Sequence, residues 1–143
     1  MSDLPPFSPT VTLLTVARVW DTALGDALKP FGLTTRKYAL LGHVRSTPGI
    51  SFSELARRSR ITVQSAHAAV AAFASDGLVA DAESRAGSPA RLTVTPAGEL
   101  LLTQAADALA TLDGEFTAEH PDLSDALRTH LTSLLAARDH QLD

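Results

Sequence analysis

Residues 51–79 carry the clearest structural signal in this chain, and they read SFSELARRSRITVQSAHAAVAAFASDGLV. Ser51 and Glu54 have the spacing of a capping box, in which the serine hydroxyl accepts from the glutamate amide and the carboxylate accepts from the serine amide. This spacing predicts a short helix over residues 52–58.

A second helix is predicted to follow after a break at residues 59–60. Thr62 has the side chain of an N-cap, and Gly77 suits the left-handed position that ends a helix. Four apolar residues between them recur at helical spacing and are expected to face the core: Val63, Ala66, Val70 and Phe73. Helix, tight turn and helix in this order are the arrangement of a helix-turn-helix.

The segment after these two helices predicts a β-hairpin. Residues 78–79 begin a strand, residues 84–89 are rich in turn-forming types, and residues 91–95 alternate as a returning strand. A two-stranded hairpin directly after a helix-turn-helix is a winged helix. The expected fold is therefore mainly α with a small β-wing, in the α+β class.

Amphipathic helices are predicted on both sides of this core. Apolar residues recur at intervals of three and four over residues 7–28, and again after the helix starts predicted at Thr34, Thr95 and Asp122. A winged helix can form its core without the apolar stripes of the first helix and the last two. We therefore expect these three helices to pack against a partner.

A second copy of the chain is the economical partner, because terminal helices of two protomers can interdigitate around a two-fold axis. Such a homodimer would place two recognition helices about 34 Å apart and predicts a palindromic DNA site. The chain then reads as one domain over residues 1–143, with a DNA-binding core at 34–95 and dimerisation helices at 7–31 and 96–143. The alternative is a monomer whose ends fold back on the core.

Charge is divided unevenly along the chain. The 143 residues have a formal net charge of −4, yet residues 34–95 hold eight basic and four acidic side chains, and the remainder holds four basic and twelve acidic ones. A basic middle between acidic ends fits a DNA-binding centre. With no cysteine, disulfides and thiolate metal sites are excluded. The sequence shows neither a signal peptide nor an apolar run of about 18 residues, so we expect a cytoplasmic protein without a membrane span.

Five short motifs, in this order, resemble the MarR family of winged-helix transcription regulators. They are residues 32–34 (GLT), 53–58 (SELARR), 63–67 (VQSAH), 77–79 (GLV) and 92–98 (LTVTPAG). The resemblance implies a homodimeric regulator that binds double-stranded DNA and is usually a repressor. It also implies that a small phenolic or other aromatic acid, bound between the dimerisation and DNA-binding regions, lowers the affinity for DNA.

Ten residues are candidates for DNA contact. In a helix-turn-helix the amino-terminal turns of the second helix meet base edges, and Gln64 there can pair bidentately with adenine. Arginines around the turn can neutralise phosphates, although an ordinary solvated face remains the alternative for each of these side chains. The candidates are Ser51, Ser53, Arg57, Arg58, Arg60, Thr62, Gln64, Ser65, His67 and Arg85.

The sequence departs from the family pattern at two places. Relatives often carry arginine where Ala68 stands, and many have an Asp-x-Arg element in the wing where Gly87 and Pro89 stand here. Arg85 is the basic residue near the predicted tip and is taken as the wing contact, whereas Arg91 is expected on a strand. This eroded wing supports an alternative function, a winged-helix protein-interaction module that has lost DNA binding.

Trp20 and His43 are the candidates for an effector site. Both fall roughly where relatives build their effector pocket, although Trp20 at helical spacing also fits an ordinary core position. No two histidines have the i, i+4 spacing of helical metal ligands, and no nucleophile elbow, phosphate-binding glycine loop or His-Glu-x-x-His motif occurs. The sequence therefore predicts no metal site, no cofactor and no enzymatic activity.

Overall fold

A computed structural model of the chain describes residues 6–81 and 91–139. Its helices and strands follow the predicted order, and a single 3₁₀ turn, Lys29–Phe31, joins the first two helices. The elements are α1 (Pro9–Leu28), α2 (Thr35–Ser46), α3 (Phe52–Ser59), α4 (Val63–Ser75), β1 (Val79–Asp81), β2 (Leu92–Val94), α5 (Pro96–Glu119) and α6 (Pro121–Asp139). Within the described ranges, no helix is long and apolar enough to cross a membrane.

Side-chain N-caps begin most of these helices. In each case a hydroxyl oxygen accepts from the backbone amide three residues later, which satisfies one of the unpaired N–H groups of the first turn. The capping residues are Ser8, Thr34, Ser51, Thr62 and Thr95, with bonds of 3.0–3.3 Å. The four caps predicted for α2 to α5 are therefore confirmed.

The last helix begins earlier than predicted. Asp122 was expected to cap it, but α6 starts at Pro121, and the carbonyl of His120 already accepts from the amide of Ser124 at 2.9 Å. Proline is favoured at the first helical position because its missing N–H has no partner there in any case. Asp122 consequently lies in the first turn of α6, where a carboxylate still suits the positive end of the helix dipole.

The hairpin pairs β1 with β2 in antiparallel register, with Val79 opposite Val94. A third segment joins it, since the amide of Leu92 donates to Ile50 and its carbonyl accepts from Gly49. Strand β2 therefore bonds on one side to β1 and on the other to the connection between α2 and α3.

Gly98 brings the first turn of α5 against this hairpin. A Cβ built at Gly98 would lie 2.3 Å from the carbonyl oxygen of Leu78 and 2.6 Å from Cγ1 of Val94, so only glycine permits this approach. Thr95 secures the same corner, because its hydroxyl donates to the carbonyl of Gly77 and its amide donates to that of Leu78.

The buried core belongs to the winged helix and the two helix ends that touch it. Its largest fully buried side chains come from the end of α1, from α2, α3 and β2, and from the first turns of α5: Leu28, Leu40, Leu41, Val44, Leu55, Leu92 and Leu102. By contrast α6 buries no side chain, and four of its leucines are 46–56% exposed: Leu127, Leu131, Leu134 and Leu135. Much of the apolar surface of the flanking helices has no partner among the described residues.

Candidate nucleic-acid interface

The amino-terminal turns of α4 form an exposed surface. Thr62 bonds Ser65 twice, since its hydroxyl oxygen accepts from the Ser65 amide at 3.0 Å and its hydroxyl donates to Oγ of Ser65 at 2.9 Å. Gln64, His67 and Ala68 lie on the exposed side, as predicted. The two hydroxyls are thus engaged in capping, whereas the Gln64 amide extends into solvent.

The inner face of α4 is shorter than the sequence pattern suggested. Ala66, Val70 and Phe73 are buried, but Val63 is 44% exposed and does not join them. Val63 is the first residue of α4, so it lies at the end of the helix, beyond the part that the neighbouring elements cover. This valine therefore adds an apolar side chain to the exposed surface beside Gln64.

At the start of α3, the Ser51 hydroxyl accepts from the amide of Glu54 at 3.2 Å, whereas Ser53 is exposed. The second half of the predicted capping box does not form, because the Glu54 carboxylate accepts from two arginines. Arg57 donates to it through Nε at 2.9 Å and through a terminal nitrogen at 2.5 Å, and Nε of Arg58 donates at 2.8 Å. Charge-assisted bonds of this kind are stronger than a bond to a neutral amide.

Glu54 and its arginines form a compact charged cluster. The hydrogen bonds from Arg57 and Arg58 lower the pKa of the Glu54 carboxyl to about 2, and the carboxylate in turn raises the pKa of Arg57. The two arginines differ in exposure, at 68% for the Arg57 side chain and 30% for that of Arg58. Arg58 also donates to the Thr47 hydroxyl at 2.6 Å, so it ties α3 to the end of α2.

Arg60 lies in the turn between the two helices. Its backbone is left-handed, with φ of 53°, which is uncommon for a residue other than glycine, and its amide bonds the last carbonyls of α3. The side chain is exposed. The turn therefore presents Arg57 and Arg60 outward and holds Arg58 inward.

An aromatic stack joins the two helices of the motif. The ring of Phe52, the first residue of α3, lies 3.8 Å from the imidazole of His67 on α4, with 24° between the planes. Sequence reasoning identified His67 but missed Phe52, because nothing in the periodicity of α3 places its first residue against α4. The only available signal was an aromatic residue immediately after an N-cap.

The wing contact predicted at Arg85 lies outside the described residues. At the loop end of the strand pair, Arg91 is exposed, and its backbone amide donates to the carboxylate of Asp81 at 3.2 Å. That bond closes the described end of the two strands.

The two effector candidates occupy different surroundings. Trp20 is half-buried and packs edge-on against Phe116 of α5, with 4.9 Å between ring centres, and 6.1 Å from the ring of His120. It also lines a shallow, open groove on one face of α1, with Leu14, Ala17, Arg18, Asp21 and Leu24. His43 is half-buried on α2 and is not among the described residues lining that groove.

A helix-turn-helix, a two-stranded sheet bonded to the segment before α3 and an outward-facing second helix define the winged-helix fold of DNA-binding proteins. The family follows from comparison: residues 31–87, which include α2, α3, α4 and β1, match the sequence model of the MarR family. The resemblance predicted from the motifs is confirmed over these residues. No curated protein matches the chain by sequence.

Solved structures extend the likeness to nearly the whole chain. The Mycobacterium tuberculosis MarR family protein Rv2887 in complex with DNA is 25% identical, with a TM-score of 0.74 over 90% of this chain and 98% of that one. The same protein in complex with salicylic acid gives 25% identity and a TM-score of 0.70 over 92% and 99%. A MarR family regulator from Rhodococcus sp. RHA1, at 21% identity, shares the fold, with a TM-score of 0.78 over 93% and 96%.

Proposed function

We propose that this chain is a homodimeric, sequence-specific DNA-binding transcriptional regulator, and that it represses transcription until a small aromatic acid releases it from DNA. The observation that carries the proposal is the exposed amino-terminal part of α4, where Gln64 and His67 project from a helix held by a buried core. The DNA complex of Rv2887 supports the same use of the fold.

Each candidate side chain has a role that fits its surroundings. Gln64 reads a base edge, since its exposed amide offers the donor and acceptor that adenine requires. Arg57 and Arg60 neutralise phosphates. Arg57 can do so without leaving Glu54, because a guanidinium has five N–H donors and the two hydrogen bonds to the carboxylate leave three. Arg58 acts chiefly by holding α3 against α2.

The homodimer is supported by the unpartnered apolar surface of the flanking helices. Along α1, four large apolar side chains are more than half exposed, namely Val11, Leu13, Leu14 and Val19, and no described side chain of α6 is fully buried. In proteins, most of the stability of a helix comes from packing of its apolar face and not from its own propensity. A second copy would cover these faces and give the two-fold symmetry that a palindromic site requires.

The groove beside Trp20 supports an aromatic acid as effector. Its walls are apolar apart from Arg18 and Asp21, so an aromatic ring can pack on the indole while a carboxylate meets the Arg18 guanidinium. The salicylic acid complex of Rv2887 shows that a protein of this fold accepts such a molecule.

Selection from a library of random DNA duplexes, followed by fluorescence anisotropy on the recovered sequence, tests the proposal. We expect a palindromic consensus, sub-micromolar binding at low salt, and an affinity that falls steeply as salt rises. Salicylate should weaken binding, and light scattering should give the mass of two chains. If no duplex is bound even at low salt, the regulator is excluded and a protein-interaction module becomes the better assignment.

A further inference from the structure

We infer that Phe52 is a positioning residue for DNA recognition, which fixes the imidazole of His67 so that its edge reads one defined base pair in each half-site. The inference rests on the proposed function and deepens it. It assigns to His67 a sequence-reading role that depends on a residue in the other helix of the motif.

The geometry of the stack carries the argument. The ring centres are 3.8 Å apart and the planes are inclined by 24°, so one face of the imidazole is covered by the phenyl ring. Both nitrogens of an imidazole lie in its edge, which the stack leaves available for hydrogen bonds. His67 stands five residues after the N-cap Thr62, on the exposed side of the turns of α4 that enter the major groove in this class of proteins.

Phe52 is itself held in place. It is the first residue of α3 after the Ser51 cap, and its ring is half-buried against the hydrophobic core. The two helices of the motif pack closely, since Leu55, Ala56 and Ala66 are buried and the amide of Ile61 bonds the carbonyl of Ala56. The phenyl ring therefore gives a solvent-facing histidine a fixed orientation that an exposed side chain otherwise lacks.

This preorganisation has a measurable consequence. Ordering a free side chain at an interface costs about 0.5–1.5 kcal/mol, so a pre-set imidazole gains roughly 2- to 12-fold in affinity for its own base pair over an unrestrained one. Contacts to the sugar-phosphate backbone made elsewhere are unaffected by that gain. The effect should consequently appear in base preference at one position and not in binding to DNA in general.

The test measures relative affinities of the full chain for its selected duplex and for every single-base variant of that duplex. His67→Ala should abolish discrimination at one base pair per half-site, by about tenfold. Phe52→Leu should reduce discrimination at the same base pair by about threefold, and Phe52→Tyr should restore it. The double variant should lose no more than His67→Ala alone.

Phe73→Leu provides the matched control, because it removes a buried ring from α4 without touching the stack. It should lower thermal stability and leave base preference unchanged. The inference is overturned if Phe52→Leu and His67→Ala affect different base pairs, if neither changes the preference, or if Phe73→Leu causes the same change as Phe52→Leu. In those cases DNA binding itself persists and the proposed function stands. Failure of the unaltered chain to bind any duplex would overturn both.

Discussion

Two glycines of the same helix should respond in opposite ways to alanine. Gly98→Ala places a methyl group 2.3 Å from the Leu78 carbonyl oxygen and 2.6 Å from Cγ1 of Val94, whereas Gly114→Ala places one in open space. Both changes improve the intrinsic helix propensity of α5, by up to about 1 kcal/mol. The difference between them therefore isolates the contact between α5 and the hairpin.

The magnitude follows from the size of the clash. Bringing the new methyl group to even 3.0 Å from the Leu78 oxygen requires a relative shift of roughly 0.7 Å, and the obstructing atom belongs to the backbone. That shift strains the bond from Thr95 to Gly77 in the same corner. Overpacking of this kind costs about 1–3 kcal/mol. We therefore expect Gly98→Ala to destabilise the fold by about 2 kcal/mol and Gly114→Ala to stabilise it by about 0.5 kcal/mol.

Urea unfolding, monitored by circular dichroism at one chain concentration for all variants, measures both values. A fixed concentration is needed because association would itself add to the apparent stability. If Gly98→Ala raised the free energy of unfolding as Gly114→Ala does, the close approach of α5 to the hairpin would be refuted, along with the reason given for glycine at this position.

Three further predictions concern the charged cluster, the last helix and the DNA-facing surface. The pKa of the Glu54 carboxyl is lowered to about 2 from a usual 4.5, which implies a stabilisation that is present above pH 4.5 and is lost as the pH falls toward 2. The unfolding temperatures of the unaltered chain and of Glu54→Gln should therefore converge over that range. A constant difference between them would contradict this. Leu131→Glu on the apolar face of α6 should halve the mass found by light scattering, whereas Thr129→Glu on the opposite face should leave that mass unchanged. Equal masses for both variants would argue against α6 as the dimer interface. Gln64→Ala should relax base preference while Arg57→Ala weakens binding to all duplexes alike, and identical effects on a scrambled duplex would refute this division of roles.

The sequence was most informative where structure depends on neighbouring residues. The caps at Thr34, Ser51, Thr62 and Thr95 were predictable because each requires only a hydroxyl and an amide three residues later. The hairpin likewise followed from a glycine-terminated helix and an alternating segment. Local patterns of this kind also sufficed to recognise the family.

The predictions were wrong or incomplete where the structure depends on residues distant in the sequence or on competing hydrogen-bond partners. Glu54 was assigned to the capping box, but two arginines on the following turn offer stronger bonds. Val63 fits the apolar stripe of α4, yet its place at the helix end leaves it uncovered. The contact of Phe52 with His67 depends on how two helices cross, which no single-helix pattern encodes.

Strand β2 connects α5 to the segment before α3, and this connection bears on any change in the position of α5. The strand continues through Thr95 into α5, and on its other side it bonds to Gly49 and Ile50, immediately before the cap of α3. Backbone hydrogen bonds on both flanks make the strand a stiff connection. We therefore expect a tilt of α5 to reach the segment before α3 through this one strand.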